Sequence, residues 1–201
     1  MKYILDTVDK NEINKWKYLI TGVTSNPILL EKANLTQDQF LEMMTSNFPE
    51  LSAFVQVSSY DEAMKINEKY FDKKIIYKIP MYIKYHNDII KMKKEWLDIA
   101  ATTIYDIVQI NQAIEFGLTH TMVYYAKNYN NNLLEEAVKL KNITGSEIKL
   151  IAASFRTKRD VENAILSGVE YSTIPPNVME IIFKNTNVKE DVGEIEKIVQ
   201  K

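Results

Sequence analysis

The chain has 201 residues, 46% hydrophobic and 26% charged, with a net charge of −2 and no cysteine. That length fits one domain with a sizeable core, and the missing cysteines exclude a disulfide framework and a thiolate zinc site. Lys and Glu are mixed along the chain, so there is no electrostatic footprint for nucleic acid or for an anionic membrane.

The amino terminus reaches Asp6 too soon for a signal peptide, and no apolar run approaches the roughly 18 residues of a membrane span. A cytoplasmic protein is the expectation. Tyr3-Ile4-Leu5 reads as a strand ending at Asp6, followed by a helix over 12–19. A strand over 21–24 is broken by Ser25-Asn26-Pro27, with Pro27 suited to the first turn of a helix continuing over 28–33. A second helical piece, over 36–44, carries Phe40, Leu41, Met43 and Met44 on one broad face. The strand over 53–57 leads to a helix over 61–70, with Ser59 as its cap and Glu62 completing a capping box. Next come a strand over 74–80, a helix over 84–96 and a strand over 97–103. A helix over 106–116 ends at Gly117, and a strand over 121–125 and turn chemistry over 130–132 precede a helix over 133–142. A strand over 148–153, a helix over 158–166 stopped by Gly168, and a strand over 169–174 ended by Pro175-Pro176 follow. Helices over 177–184 and 192–200 close the chain.

Eight strand candidates thus alternate with helices. Strict alternation implies parallel strands with helical crossovers. The absence of a Gly-rich turn after the first strand argues against a dinucleotide-binding fold. The reading is an α/β protein, a (β/α)8 TIM barrel, as a single domain over 1–201 with an extra carboxy-terminal helix at about 190–200.

Lys78 is the unusual residue. It sits at the far end of the apolar run Ile75-Ile76-Tyr77-Lys78-Ile79, one residue from the Pro80 stop. In apolar surroundings a lysine loses solvation of its charged form, its pKa falls, and a neutral amine becomes available for Schiff-base chemistry. On this segment alone the alternative stays open that the side chain snorkels out at a strand end. In a barrel of this kind the chemistry sits where strands end. The polar residues closing successive strands are Asp6, Thr24 with Asn26, Gln56, Lys78, Thr102, Tyr124, and Ser154 with Arg156. Each alone also reads as a cap, a satisfied amide or a surface charge. Together they weaken that reading, because Asp6, Gln56 and Lys78 interrupt apolar runs and buried polar groups need converging partners.

Asp6-Thr7, Gly22-Val23-Thr24-Ser25-Asn26-Pro27, Lys78-Ile79-Pro80, Ala152-Ala153-Ser154-Phe155-Arg156 and Thr173-Ile174-Pro175 come in an order and spacing that resembles the transaldolase family. Its short-chain branch includes fructose-6-phosphate aldolase. The resemblance implies Lys78 as the Schiff-base lysine and Asp6 as the proton shuttle. It implies Thr24 and Asn26 as ligands of a dihydroxyacetone portion, and Thr102 as a residue that helps hold a catalytic water. Ser154, Arg156 and Lys127 would receive the phosphate of a sugar phosphate, Lys127 standing where the family usually has arginine. Gln56 and Tyr124 resemble the aldolase branch, whereas transaldolases proper carry glutamate and phenylalanine there. An aldolase is therefore preferred over a transaldolase, with a non-catalytic sugar-phosphate-binding barrel as a third reading. Departures from the family pattern are Lys127, the shortened segment 128–132, and the loop 81–85. Bulky Tyr82, Tyr85 and Tyr125 are expected near the mouth of the pocket. No cofactor is implied, and His86 and His120 form no recognisable metal spacing. The family's habit implies a homo-oligomer, a pentamer or decamer.

Overall fold

The computed structural model describes residues 1–125, 132–184 and 186–199. Among these, eight parallel strands close into a barrel in chain order, β8 pairing back onto β1. The strands are β1 (Lys2–Asp6), β2 (Ile20–Thr24), β3 (Ser52–Gln56), β4 (Ile75–Pro80), β5 (Ile99–Ile104), β6 (His120–Tyr124), β7 (Lys149–Ala153) and β8 (Tyr171–Ile174). Parallel neighbours require crossovers, which the helices supply. These are α1 (Lys10–Trp16), α2 (Pro27–Lys32), α3 (Gln37–Asn47), α4 (Tyr60–Lys69), α5 (His86–Lys94), α6 (Ile107–Glu115), α7 (Leu133–Thr144), α8 (Lys158–Ser167), α9 (Pro176–Phe183) and the extra carboxy-terminal α10 (Thr186–Val199). No helix among the described residues is long and apolar enough to cross a membrane.

Local chemistry sets the helix ends. Asp9, Asn26, Thr36, Ser59, Asp106 and Thr157 each cap a helix by accepting an N–H in its first turn. Reciprocal capping boxes form at Thr36/Gln39 and Thr157/Asp160. The box expected at Ser59/Glu62 closes differently. Ser59 accepts from the Glu62 N–H at 3.2 Å, but the Glu62 carboxylate takes the Ser58 N–H and hydroxyl, at 2.8 and 2.7 Å. The helix expected over 84–96 begins as a 3₁₀ turn, Ile83–Tyr85, and stops at Lys94, before Trp96 turns left-handed (φ +59°). The last helix starts at Thr186 rather than at 192, because the polar residues preceding its apolar stripe are also helical.

The period-2 alternation of each strand splits the core in two. One set of residues, including Leu5, Val23, Val55, Tyr77, Ile79, Ala101, Val123 and Ala152, packs outward under the helices. The other points to the barrel axis: Ile4, Phe54, Ile76, Ala100, Met122 and Ile151 form a separate apolar layer across the interior. Gly22 makes room for this layer. A Cβ there would lie 2.7 Å from the Ser52 carbonyl oxygen and 3.1 Å from the Phe54 ring. Gly22→Ala is expected to lower stability by about 1–3 kcal/mol through overpacking, read as a lower urea midpoint with an unchanged slope.

Candidate active site

Above the apolar layer, the next inward position on each strand is polar on most strands. Asp6 pairs in register with Thr24, Gln56 with Lys78, and Tyr124 with Ala153. With Asn26, Thr102, Ser154 and Thr173 they line a cavity of about 390 Å3 at the carboxyl ends of the strands. Pro27, Ile28 and Met122 complete its wall.

Lys78 is only 5% exposed, so it does not snorkel. Its Nζ donates to Thr24 Oγ1 at 2.9 Å and to the Ser25 carbonyl at 2.5 Å. Burial pulls its pKa down to about 8, against the opposing attraction of Asp6. Burial acts on Asp6 in the other direction and raises its carboxyl pKa, while Lys78 lowers it. Burial therefore pushes both groups toward their neutral forms, while each favours the charged form of the other.

Tyr124 Oη and Thr102 Oγ1 are hydrogen-bonded at 3.2 Å. Burial raises the Tyr124 pKa, and the bond to Thr102 opposes the shift, so the phenol stays protonated and able to donate. Alternation from the inward Ala100 turns Thr102 to the axis, and an extra residue in β5 follows it. Ala101 pairs with Thr121 but Ile104 with Val123, so the register slips by one between them. Thr103 absorbs the slip at φ +57°, costly for a β-branched residue, and its hydroxyl donates to the Thr102 carbonyl at 2.6 Å. Gln109 braces the same bend. Its Nε2 donates to the carbonyls of Met81 (3.1 Å) and Thr103 (3.2 Å), while its Oε1 accepts from Tyr105 N (2.8 Å).

Asn26 has two tasks. Its carbonyl oxygen caps α2 by accepting the Leu29 N–H at 3.0 Å, which leaves the amide N–H2 for the cavity. Ser154 reaches the rim through another left-handed backbone position, φ +76°. Arg156 is exposed and stands outside the residues lining the cavity, its own N–H donating to Asp160 at 2.9 Å. Lys127 lies outside the described residues. Sequence reasoning missed Pro27, Ile28, Met122 and Ala153 as wall residues. Met122 was within reach of it, two positions before Tyr124 on the same strand face.

The tyrosines expected to crowd the mouth do not line the cavity. Tyr125 is buried outside the barrel wall, its hydroxyl accepting from Asn163 Nδ2 at 3.0 Å, because strand alternation turns it away when Tyr124 turns in. Tyr82 is 60% exposed, and Tyr85 carries the Lys84 ammonium over its ring. Among the described residues no group of three or more His, Cys, Asp or Glu is arranged to hold a metal ion.

Comparison with known proteins agrees with this geometry. In shape, the chain is similar to a solved structure of 3-hexulose-6-phosphate synthase, with a TM-score of 0.65 at 10% identity, covering 87% of this chain and 90% of that one. At that identity the likeness shows the fold alone. In sequence, it is 30% identical to a probable fructose-6-phosphate aldolase of Streptococcus pneumoniae, over 96% of this chain and 94% of the relative. It is 28% identical to probable transaldolases of Petrotoga mobilis (92% and 88% covered) and Clostridium botulinum (100% and 95%). The family model described as transaldolase/fructose-6-phosphate aldolase matches residues 3–201. With almost the whole chain matched, and the motif residues gathered around one cavity, the chain belongs to the transaldolase/fructose-6-phosphate aldolase family.

Proposed function

We propose that the chain is a Schiff-base aldolase that makes and breaks the bond beside a dihydroxyacetone unit, with fructose 6-phosphate or a related ketose phosphate as substrate. The observation that carries this reading is the buried Lys78 amine, with its pKa near 8, sharing a cavity with Asp6 and Tyr124.

In this reading, neutral Lys78 adds to the C2 carbonyl of the ketose, and loss of water from the carbinolamine gives an iminium ion. A base then removes the proton of the C4 hydroxyl, the C3–C4 bond breaks, and its electron pair flows to the iminium nitrogen, giving an enamine and a free aldehyde. Protonation of the enamine at C3 and hydrolysis release dihydroxyacetone and restore the amine. Asp6, its carboxyl pKa raised by burial, is the candidate for proton transfer at the carbinolamine. Thr24 and the Asn26 amide suit the dihydroxyacetone hydroxyls. Ser154, Arg156 and Lys127 remain the candidates for the phosphate.

Transaldolase activity is the second reading, in which the enamine waits for an aldose acceptor. The bond between Tyr124 and Thr102 favours lysis, because a protonated phenol in the cavity supplies a proton donor through water, and Gln56 is no base. The third reading, a non-catalytic sugar-phosphate-binding barrel, leaves the lowered Lys78 pKa without a use. The exposed apolar side chains Val188, Val192 and Ile195 on α10 support a homo-oligomer, whose size gel filtration with light scattering reads directly.

Four outcomes follow. Borohydride in the presence of dihydroxyacetone is expected to add mass at Lys78 and to leave Lys78→Met unmodified; a wild-type protein without adduct removes the Schiff-base reading. The initial trapping rate should rise about tenfold per pH unit below the lysine pKa of about 8 and level off above it, because only the neutral amine attacks. A plateau beginning near the ordinary lysine value would show an untuned amine.

Lys78→Met should also be more stable than wild type at neutral pH, by about 1–3 kcal/mol. A buried lysine with a lowered pKa disfavours folding below the folded value, and wild-type stability recovers as pH climbs from about 8 to the ordinary value of 10.5. The difference between the two proteins in urea should shrink over that interval. Finally, Tyr124→Phe should slow release of free dihydroxyacetone by about 10²–10⁴-fold and slow adduct formation far less, since the phenol is assigned to enamine protonation and not to imine formation. Product that appears only when erythrose 4-phosphate is added would favour transfer over lysis.

A further inference from the structure

The barrel has a second opening, at the amino-terminal ends of its strands. There a cavity of about 200 Å3 is lined in part by Ser52, Lys74, Asp98, His120, Lys149 and Tyr171. The apolar interior layer separates it from the Lys78 site: Phe54 and Ile76 line the lower cavity and Met122 the upper.

In the lining of this cavity ammonium groups outnumber carboxylates. Lys74 and Lys149 stand against the single carboxylate of Asp98, and the Lys2 ammonium lies 5.6 Å from the Tyr171 ring centre at the same rim. The nearby Glu170 carboxylate is already taken up by Lys141 and by the Leu150 N–H.

Beneath these charges His120 is 4% exposed, its ring edge-on to Phe54 and Tyr171 at 5.7 and 6.4 Å. Its tautomer follows from one neighbour. Thr119 spends its only hydroxyl hydrogen on the Ile99 carbonyl at 3.0 Å, so its oxygen accepts from His120 Nδ1 at 2.8 Å. Nδ1 carries the proton, and Nε2 keeps a lone pair. Burial, and after it Lys149, lowers the His120 pKa to about 4, so the ring stays neutral near pH 7.

The cavity thus combines ammonium donors with one buried acceptor. Sulfate satisfies only the first, having no proton to give to Nε2. An oxyanion that retains an acidic hydroxyl satisfies both. We propose that the cavity at the amino-terminal end of the barrel binds inorganic hydrogen phosphate, its charged oxygens on Lys74 and Lys149 and its P–OH donating to His120 Nε2. Lys74 now donates to the Glu50 carbonyl at 3.0 Å, a bond that the anion shares or replaces. The Ser52 hydroxyl is a further donor on the wall. This site is independent of the aldolase reading.

The test uses the two histidines of the chain, His86 and His120, as reporters in the full-length protein labelled with 15N at histidine. Near pH 7, phosphate is expected to move the His120 Nε2 resonance toward a hydrogen-bonded value, saturably, and to leave His86 in place. Sulfate at matched ionic strength should move it far less. Lys149→Met should weaken the phosphate response about tenfold or more, and Asp98→Asn should strengthen it. Circular dichroism and the urea midpoint check that both variants keep a folded barrel. An unmoved His120 signal, an equal response to sulfate, or a phosphate response unchanged in Lys149→Met overturns the proposal.

Discussion

One desolvated amine organises the carboxyl end of this barrel. Lys78 is held where water cannot solvate an ammonium, yet its nitrogen is kept in position by two acceptors that a neutral amine also satisfies, Thr24 Oγ1 and the Ser25 carbonyl. Both acceptors come from the end of β2, which is separated from β4 by β3. The amine is therefore positioned across the barrel interior and not by its own strand. Closure of the sheet curls the inward side chains of β2 and β4 toward one another and makes such a contact available. The balance is fine: burial alone pushes the amine toward neutrality, and Asp6 pulls it back toward charge, leaving a pKa of about 8 where either form is reached by a small change in surroundings.

Supporting structure around Lys78 is rigid where it matters for geometry. The Thr102 hydroxyl bonds Tyr124 just before the slip in β5 and the left-handed Thr103, and Gln109 fastens the segments after β4 and β5 to that bend. Backbone positions costing about 1–3 kcal/mol each persist only where surrounding bonds over-determine them. Of the five positive-φ residues other than glycine among the described residues, Thr103 and Ser154 sit at bends beside the cavity, and Asn34, Asp72 and Trp96 lie away from it.

How much of this was legible in the sequence depends on whether a residue breaks a pattern. Lys78, Asp6 and Gln56 stood out because each ends an apolar run, and a barrel read from strict alternation sends every such end to one face. Met122 and Ala153 did not stand out, because an apolar wall residue carries the same signature as an apolar core residue. Thr103 and Ser154 gave no warning of their left-handed backbone, since neither is Gly, Asn or Asp. Tyr125 was misjudged for a different reason: reading it as a mouth residue ignored that it follows Tyr124 on a strand, so only one of the pair can face the axis. The Ser59/Glu62 box failed by one residue because the adjacent Ser58 offers the carboxylate both a backbone N–H and a hydroxyl.

The same alternation has a consequence at the other end of the strands. A residue two positions before a cavity-lining one faces the apolar layer, and a residue four positions before it faces the lower opening. Lys74 stands in that relation to Lys78, His120 to Tyr124, Asp98 to Thr102, Lys149 to Ala153 and Ser52 to Gln56. On these five strands the lower cavity is thus the image of the upper one through a single apolar layer. The two ends differ in access to water. Lys78 is deprived of solvent and its pKa falls, whereas Lys74 and Lys149 are exposed. One end of the barrel therefore holds a buried amine of lowered pKa, and the other holds exposed lysines beside a buried imidazole.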